Sequence, residues 1–277
     1  MKTAYFLPRL VRHFLPEKVT RALLLRGLFI RPGLETRAPE EAAARYQRDL
    51  KEAGVDISGK HILVFGYGGR FGLACHLLKL GARHITLCEY AVKPDEQANA
   101  NLLPEFENYL FRDFGKTVPR NEWITILQGD IRKIALEPGI KKADIVCSTS
   151  VFEHLDDPDG ILDALIKLTG DGGTHIHYID LRDHFFKYPF EMLTFSASTW
   201  KNWLNPTSNL NRWRFPKYET LFRERFDKVN LLVFEHNEAA WVEIQNRVLP
   251  EFKTGNTQVD AVTQIRVISS KETNKTE

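Results

Sequence analysis

A β-branched and aromatic run, Lys60-His61-Ile62-Leu63-Val64-Phe65, ends abruptly in Gly66-Tyr67-Gly68-Gly69-Arg70-Phe71-Gly72. No other feature of the sequence limits the fold as much. The run is too short for a helix and suits a strand buried on both faces. Behind the glycines, 71–80 has helical character and stops at Gly81, and Ile85-Thr86-Leu87-Cys88-Glu89 makes a second strand. Strand, glycine turn, helix and strand in close succession form a βαβ unit, whose crossover is right-handed.

The alternation continues down the chain. A helix is expected over 39–53, with Pro39 at its start and Gly54 as its stop. Residues 93–117 look mostly helical, and strands are expected at 123–128, 143–149 and 174–179. A helix over 160–168 is stopped by the Gly-Asp-Gly-Gly run at 170–173. The last strands fall at 229–235 and 263–269, around a helix near 241–249. Such alternation specifies an α/β fold: a mostly parallel sheet with helices on both faces.

Composition narrows the function. The chain has 277 residues, 38 Lys and Arg against 36 Asp and Glu, and a net charge of +2, which argues against a general nucleic-acid binder. A chain of this size buries roughly three quarters of its unfolded surface and needs no disulfide or metal staple. Cys75, Cys88 and Cys147 are scattered with no CxxC pair, so they read as reduced core thiols and favour a cytoplasmic address. No apolar stretch approaches the ~20 residues of a membrane span, and Met1 to Phe6 lacks the features of a signal peptide. A soluble protein is expected.

The charge is unevenly spread. Residues 1–37 hold Lys2, Arg9, Arg12, Lys18, Arg21, Arg26, Arg31 and Arg37 against Glu17 and Glu35. This segment reads first as a helical arm packed on the main domain. Its basic, amphipathic character also suits peripheral contact with an anionic membrane.

In open α/β sheets, ligands bind beyond the carboxyl ends of the strands, where strand order reverses. The glycine turn lies at such a position. A dinucleotide turn would need glycine where Phe71 stands, and the G-K-[ST] of a phosphate loop is absent, so a nucleoside without a pyrophosphate is favoured. Glu89, ending the second strand, is placed to accept both hydroxyls of a ribose; its bland alternative is a capping or surface acid.

Gly66-Tyr67-Gly68, Glu89, Gly129-Asp130-Ile131 and the segment Ser148-Thr149-Ser150-Val151-Phe152-Glu153-His154-Leu155-Asp156-Asp157-Pro158 resemble the successive motifs of class I S-adenosylmethionine-dependent methyltransferases. The resemblance runs from about 58 to 181, and the final strand pair extends it to about 270. It implies a Rossmann-like fold with a seven-stranded, mostly parallel sheet, an N-terminal helical arm over 1–56, and a methyltransferase domain over 57–272. A cap for the methyl acceptor would be inserted after strand five, at 184–222. It also implies S-adenosyl-L-methionine as cofactor. Gly66 and Gly68 would pass beneath its methionine part and ribose, and Glu89 would hold the ribose diol. Asp130 would take the adenine amino group with Ile131 beside the ring, and Ser150 and Val151 would lie near the methionine end. Glu153 and His154 would open the following helix. Two positions depart from the pattern: Val64 stands where an acid often begins the glycine motif, and Arg70 where a third glycine is usual. Asp130, Glu153 or main-chain carbonyls would then meet the cofactor's amino group. The donor sulfonium makes its methyl electrophilic, so no metal is obligatory.

Strand five runs into His175-Ile176-His177-Tyr178-Ile179-Asp180-Leu181-Arg182-Asp183-His184. Alternation puts His175, His177 and Ile179 on one face and Ile176, Tyr178 and Asp180 on the other. Asp180, Asp183 and His184, at the carboxyl end, are the candidate catalytic bases. Either aspartate with His184 could also hold a divalent cation, as in some sugar methyltransferases. A salt-bridged turn through Arg182 is the competing reading, and packing is favoured for His175 and His177. The stretch 184–222 is rich in aromatics interleaved with Lys187, Lys201, Asn202, Asn209, Asn211, Arg212 and Arg214. It suits a sugar-binding cap or a satellite core under a long connection. Asn211-Arg212-Trp213-Arg214 more loosely resembles bacterial methyltransferases of surface-glycan synthesis, which makes a small-molecule or glycan hydroxyl the leading acceptor. The competing functions are an NAD(P)-dependent oxidoreductase, which Phe71 opposes, and a non-catalytic nucleoside-binding protein, which Val64 and Arg70 leave open.

Overall fold

The computed structural model describes residues 3–15, 19, 34–90, 92–185 and 187–272. Most of the basic segment before residue 34 and the tail 273–277 lie outside this set. The seven expected strands are present: β1 (His61–Phe65), β2 (His84–Glu89), β5 (Ile124–Gln128), β6 (Ala143–Thr149), β7 (Thr169–Asp180), β8 (Lys228–His236) and β9 (Val262–Ser270). They form one sheet in the order β5-β2-β1-β6-β7-β9-β8. The first five run parallel, and β9 is antiparallel to both its neighbours. Strand order reverses between β1 and β6. That is the switch point at which such sheets bind ligands.

All five residues of β1 are buried, as a central strand covered on both faces requires. One face packs against helices α1 (Pro39–Glu52) and α2 (Gly72–Lys79), through Tyr46, Leu50, Leu73 and Leu77 over Ile62, Val64 and Ile176. The other packs against α3 (Pro158–Lys167) and α4 (Phe215–Arg223), through Leu162, Leu165, Tyr218 and Phe222 over Leu63, Val146 and Ile179. Each such buried side chain contributes about 1.5–3 kcal/mol. Helix α1 begins with proline and two first-turn glutamates, which complement the positive end of the helix dipole. Helix α3 begins where Asp157 accepts from the Gly160 N–H at 2.9 Å. A Cβ on Gly160 would lie 2.3 Å from that carboxylate.

Two readings are corrected. The segment 93–117 is helical only at Glu96–Ala100 and Leu103–Phe106; its later part enters a hairpin in which Leu110–Asp113 (β3) pairs with Lys116–Pro119 (β4). Its turn residues Phe114 and Gly115 both have positive φ (43° and 78°), the signature of a type I′ turn. Four-residue strands are too short to show alternation. The glycines at 170–173 do not stop a helix before a separate strand; they lie inside β7 as a bulge, where pairing jumps from Ala143–Thr169 to Ile145–Thr174.

Part of the stretch 184–222 forms a small third core: Phe190, Met192, Leu193, Trp200, Leu204 and Leu210 gather around Trp241, Ile244 and Val248. Its last residues become α4 and pack on the sheet. The arm's described helix, Thr3–Phe14, docks on this third core. No helix among the described residues is long and apolar enough to cross a membrane.

Candidate active site

The strands end level at the switch point. Gly66 donates its N–H to the Cys88 carbonyl, Gly129 to that of Glu89 and Ser150 to that of Tyr178, each at 2.9 Å. Asp130, Glu89, Gly66, Ser150 and the end of β7 therefore follow one another along a single edge. At about 4.8 Å per strand, the four steps from β5 to β7 span roughly 19 Å.

The two glycines have different surroundings. Gly66 has φ 76°, and a Cβ there would lie 2.5 Å from Val151 Cγ2. Only glycine fits, because packing and backbone both forbid a side chain. Gly68 has φ 64° and nothing within 4 Å of its would-be Cβ, so this side of the turn is open. Its N–H donates to Glu89 Oε2 at 3.1 Å, and Tyr90 N–H donates to Oε1 at 2.9 Å. A carboxylate offers about four acceptor positions, so two remain for a diol. Beside it, the buried Tyr67 hydroxyl has no hydrogen-bond partner among the described residues. Burial, and secondly the Glu89 charge, pushes that phenol up to about 12. Arg70 does not point along the edge: it bonds to the Thr36 carbonyl and pairs with Asp95, each at 3.3 Å. Val64 belongs to the core.

Farther along, Asp130 caps the turn Ile131–Ile134 and binds Arg132 through two oxygens, at 2.9 and 3.0 Å. Those bonds hold the carboxyl below the usual carboxylate range. Ile131 is turned into the core. Ser150 adopts φ 52°, a left-handed conformation that costs a non-glycine residue about 1–2 kcal/mol. The chain then delivers Val151 onto Gly66. Helix α1 also reaches this point: Tyr46 shares a 2.6 Å hydrogen bond with Thr149, and the Arg45 guanidinium lies 3.8 Å from the Tyr178 ring centroid.

At the β7 end the sequence expectations need revision. Asp180 is bound by Arg182 through bonds of 2.7 and 2.9 Å, so the salt-bridged turn is what forms. Asp183 is fully buried and anchors the arm: Arg9 pairs with it and the Tyr5 hydroxyl donates to it. Both aspartates are engaged by arginines, which suits structural anchors better than bases waiting for a proton. His184 instead meets the turn Phe152–His154. Its Nε2 is 4.0 Å from Glu153 Oε1, and its ring centroid is 4.9 Å from that of His154. Glu153 is 3% exposed, and neither carboxylate oxygen has a hydrogen-bond partner of normal geometry. Burial, reinforced by Asp180, raises its pKa well above the usual range. Burial lowers that of His154, and burial with His154, Arg12, Arg9 and Arg182 nearby lowers that of His184.

Four polar residues of the stretch 184–222, Asn209, Asn211, Arg212 and Arg214, are spent on main-chain carbonyls. His154 Nδ1 donates to the Asn209 carbonyl at 2.7 Å, and the Asn209 amide returns a 3.0 Å bond to the His154 carbonyl. Asn211 donates to the Phe152 and Leu155 carbonyls. Arg212 binds the Met192 and Phe195 carbonyls, and Arg214 those of Leu181, Asp260 and Val262. These groups therefore do not stand free as sugar donors. His175 and His177 pack as expected, bonded to Thr169 and Ser148 at 2.8 Å each. Tyr5, Arg9 and Arg12 escape sequence reasoning as members of this region. Only the Glu153-His154 pair carried a signal, through its motif.

Residues 65–177 match the family model described as a methyltransferase domain. No curated protein matches the chain. Among solved structures, it resembles a Galdieria sulphuraria protein provisionally named a sarcosine dimethylglycine methyltransferase. Identity there is 14%, coverage 93% of this chain and 99% of that one, and the TM-score 0.51. An S-adenosylmethionine-dependent methyltransferase from Mesorhizobium loti is 14% identical over 84% of this chain and all of the other (TM-score 0.43). One from Archaeoglobus fulgidus is 13% identical over 86% and 97% (TM-score 0.46). At such identities the likeness concerns the fold.

Proposed function

We propose that the chain, whose residues 65–177 match a methyltransferase-domain model, is a class I S-adenosylmethionine-dependent enzyme that methylates a hydroxyl of a small polyhydroxylated acceptor, with a sugar or glycan the first class to test. The observation that carries the reading is the open side of Gly68 beside the half-satisfied carboxylate of Glu89. That cradle fits a ribose, and the unpartnered Tyr67 hydroxyl offers a further polar contact. The family match does not favour the nicotinamide alternative.

S-adenosylmethionine, when bound, supplies a methyl carbon made electrophilic by its sulfonium. In this assignment Glu89 accepts from the ribose hydroxyls while the Gly66–Gly68 main chain lies beneath. Asp130 defines the adenine end, and Ser150 and Val151 the methionine end. The acceptor oxygen then belongs over β7, where Glu153, His154 and His184 converge. The arm helix and the third core cover this end and exclude water. Holding an acceptor about 3–3.5 Å from the methyl in such a site removes most of the entropic barrier. Loss of the hydroxyl proton is assigned to the Glu153–His184 neighbourhood instead of Asp180 or Asp183, and positioned proton transfer contributes about 10²–10⁴-fold.

The reading is tested by incubating the protein with labelled-methyl donor and fractionated cell extract. Label in the carbohydrate or glycolipid fraction is expected. Label confined to protein or nucleic acid contradicts the acceptor class, and saturable cofactor binding without label anywhere supports a non-catalytic protein. A lipid-linked glycan is the form the arm favours: Leu7, Val11 and Phe14 are 59%, 59% and 64% exposed on its helix. Cosedimentation with anionic vesicles, lost in a Leu7→Ser/Val11→Ser variant, checks that contact.

A further inference from the structure

We propose that Glu153, His154 and His184 bind one divalent first-row transition-metal ion at the acceptor end of the sheet edge. The ion's catalytic use rests on the methyl-transfer reading; the existence of the site does not. Two imidazoles and one carboxylate are a donor set suited to Mn²⁺, Co²⁺ or Zn²⁺, whereas Mg²⁺ and Ca²⁺ prefer all-oxygen cages. One ligand atom from each residue lies within 4.8 Å of the others. Atoms sharing an ion at 2.0–2.2 Å are about 3–3.5 Å apart, so small side-chain rotations close the set.

Three features beyond proximity point to a cation. Glu153 is the first. Both its oxygens are buried and, among the described residues, neither has a hydrogen-bond partner of normal geometry; a carboxylate placed so is costly, and such groups in proteins are paired or ligate metal. The second is the orientation of His154. A carbonyl can only accept, so Nδ1 carries the hydrogen that meets Asn209, and Nε2 keeps its lone pair. A ligating histidine typically has its second nitrogen tethered in this way. The third is the investment in the turn: Asn209 and Asn211 fix the carbonyls of Phe152, His154 and Leu155 from the cap. The charged groups around the trio are Asp180 with its partner Arg182, Arg9 with its partner Asp183, and Arg12. Arg12 opposes a cation, so binding in the micromolar range is expected instead of the tighter binding of a closed structural site. With three protein ligands the ion keeps open positions for an acceptor oxygen, whose hydroxyl it would acidify.

The test uses the full chain, stripped with EDTA and dialysed. Mn²⁺ binding is followed by the electron paramagnetic resonance of free Mn²⁺, Co²⁺ binding by visible absorption, and S-adenosylmethionine binding separately by calorimetry. One Mn²⁺ per chain is expected, with affinity at least tenfold weaker in Glu153→Gln and in His184→Gln and cofactor affinity unchanged in both. Glu153→Gln keeps the shape of the side chain at a position without normal hydrogen-bond partners, so its melting temperature should not fall without metal. Absence of stoichiometric Mn²⁺ and Co²⁺ binding to the parent chain, or parent-like binding in both variants, overturns the site. Metal binding without S-adenosylmethionine binding would sink the methyl-transfer reading and leave the site standing; the converse would do the opposite.

Discussion

The two ends of the sheet edge are built differently. From β5 to β6, geometry comes from the backbone: positive-φ glycines at 66, 68 and 129, and main-chain N–H groups that fix Glu89 from 1 and 21 residues away. At β7, geometry comes from side chains brought from afar. Arg9 meets Asp183 across 174 positions, and Asn209 meets His154 across 55. A site made of backbone leaves its mark in the local sequence, because only glycine tolerates the required turn. A site made of long-range side-chain pairs leaves almost none.

The largest expected effect tests the β7 end. Arg9→Met strands a fully buried carboxylate at Asp183 and should cost about 3–5 kcal/mol, measured by chemical denaturation. Cofactor affinity should be unchanged. A coupled loss of both would mean that the two ends are not independent. Next comes the glycine pair. Gly68→Ala should cost about 1–2 kcal/mol of strain without a clash. Gly66→Ala adds the 2.5 Å collision with Val151 and should be clearly the less stable of the two. Equal melting temperatures would refute the distinction.

A third effect concerns the packing along β7. Burial pushes His175 from 6.5 down to about 3. Because the folded value lies below the unfolded one, the stabilising contribution is whole above pH 6.5. It is lost as pH falls toward 3, at up to about 1.4 kcal/mol per pH unit. Stability of His175→Gln should therefore depend less on pH between 6.5 and 4. A slope matching the parent chain would show that the imidazole is not buried neutral. The smallest effect is at Arg70. Arg70→Gly restores the usual third glycine and removes only partly exposed contacts to Thr36 and Asp95, so stability should move by less than about 1 kcal/mol.

The same contrast explains what the sequence made legible. The seven sheet strands, the switch point and the positions of Glu89, Asp130 and Ser150 followed from alternation, glycines and motif order, all of them local. The β3–β4 hairpin did not, because its strands are four residues long and its turn carries Phe114 at a position that favours Asn or Gly. Asp180 and Asp183 were visible as acids at the correct edge, but their partners decide their roles, and Arg9 lies on another helix. Asn211, Arg212 and Arg214 looked like hands for a sugar. Their nitrogens are instead used on main-chain carbonyls of irregular backbone.

The central claim is that the backbone-built end holds the nucleoside, with Glu89 on its ribose. Calorimetric titration of S-adenosylmethionine into the parent chain and Glu89→Ala tests this most directly. The account predicts saturable one-to-one binding by the parent and an affinity roughly 10–100-fold weaker in Glu89→Ala, the worth of charge-assisted hydrogen bonds. No saturable binding by the parent, or equal affinity in the two proteins, would contradict it.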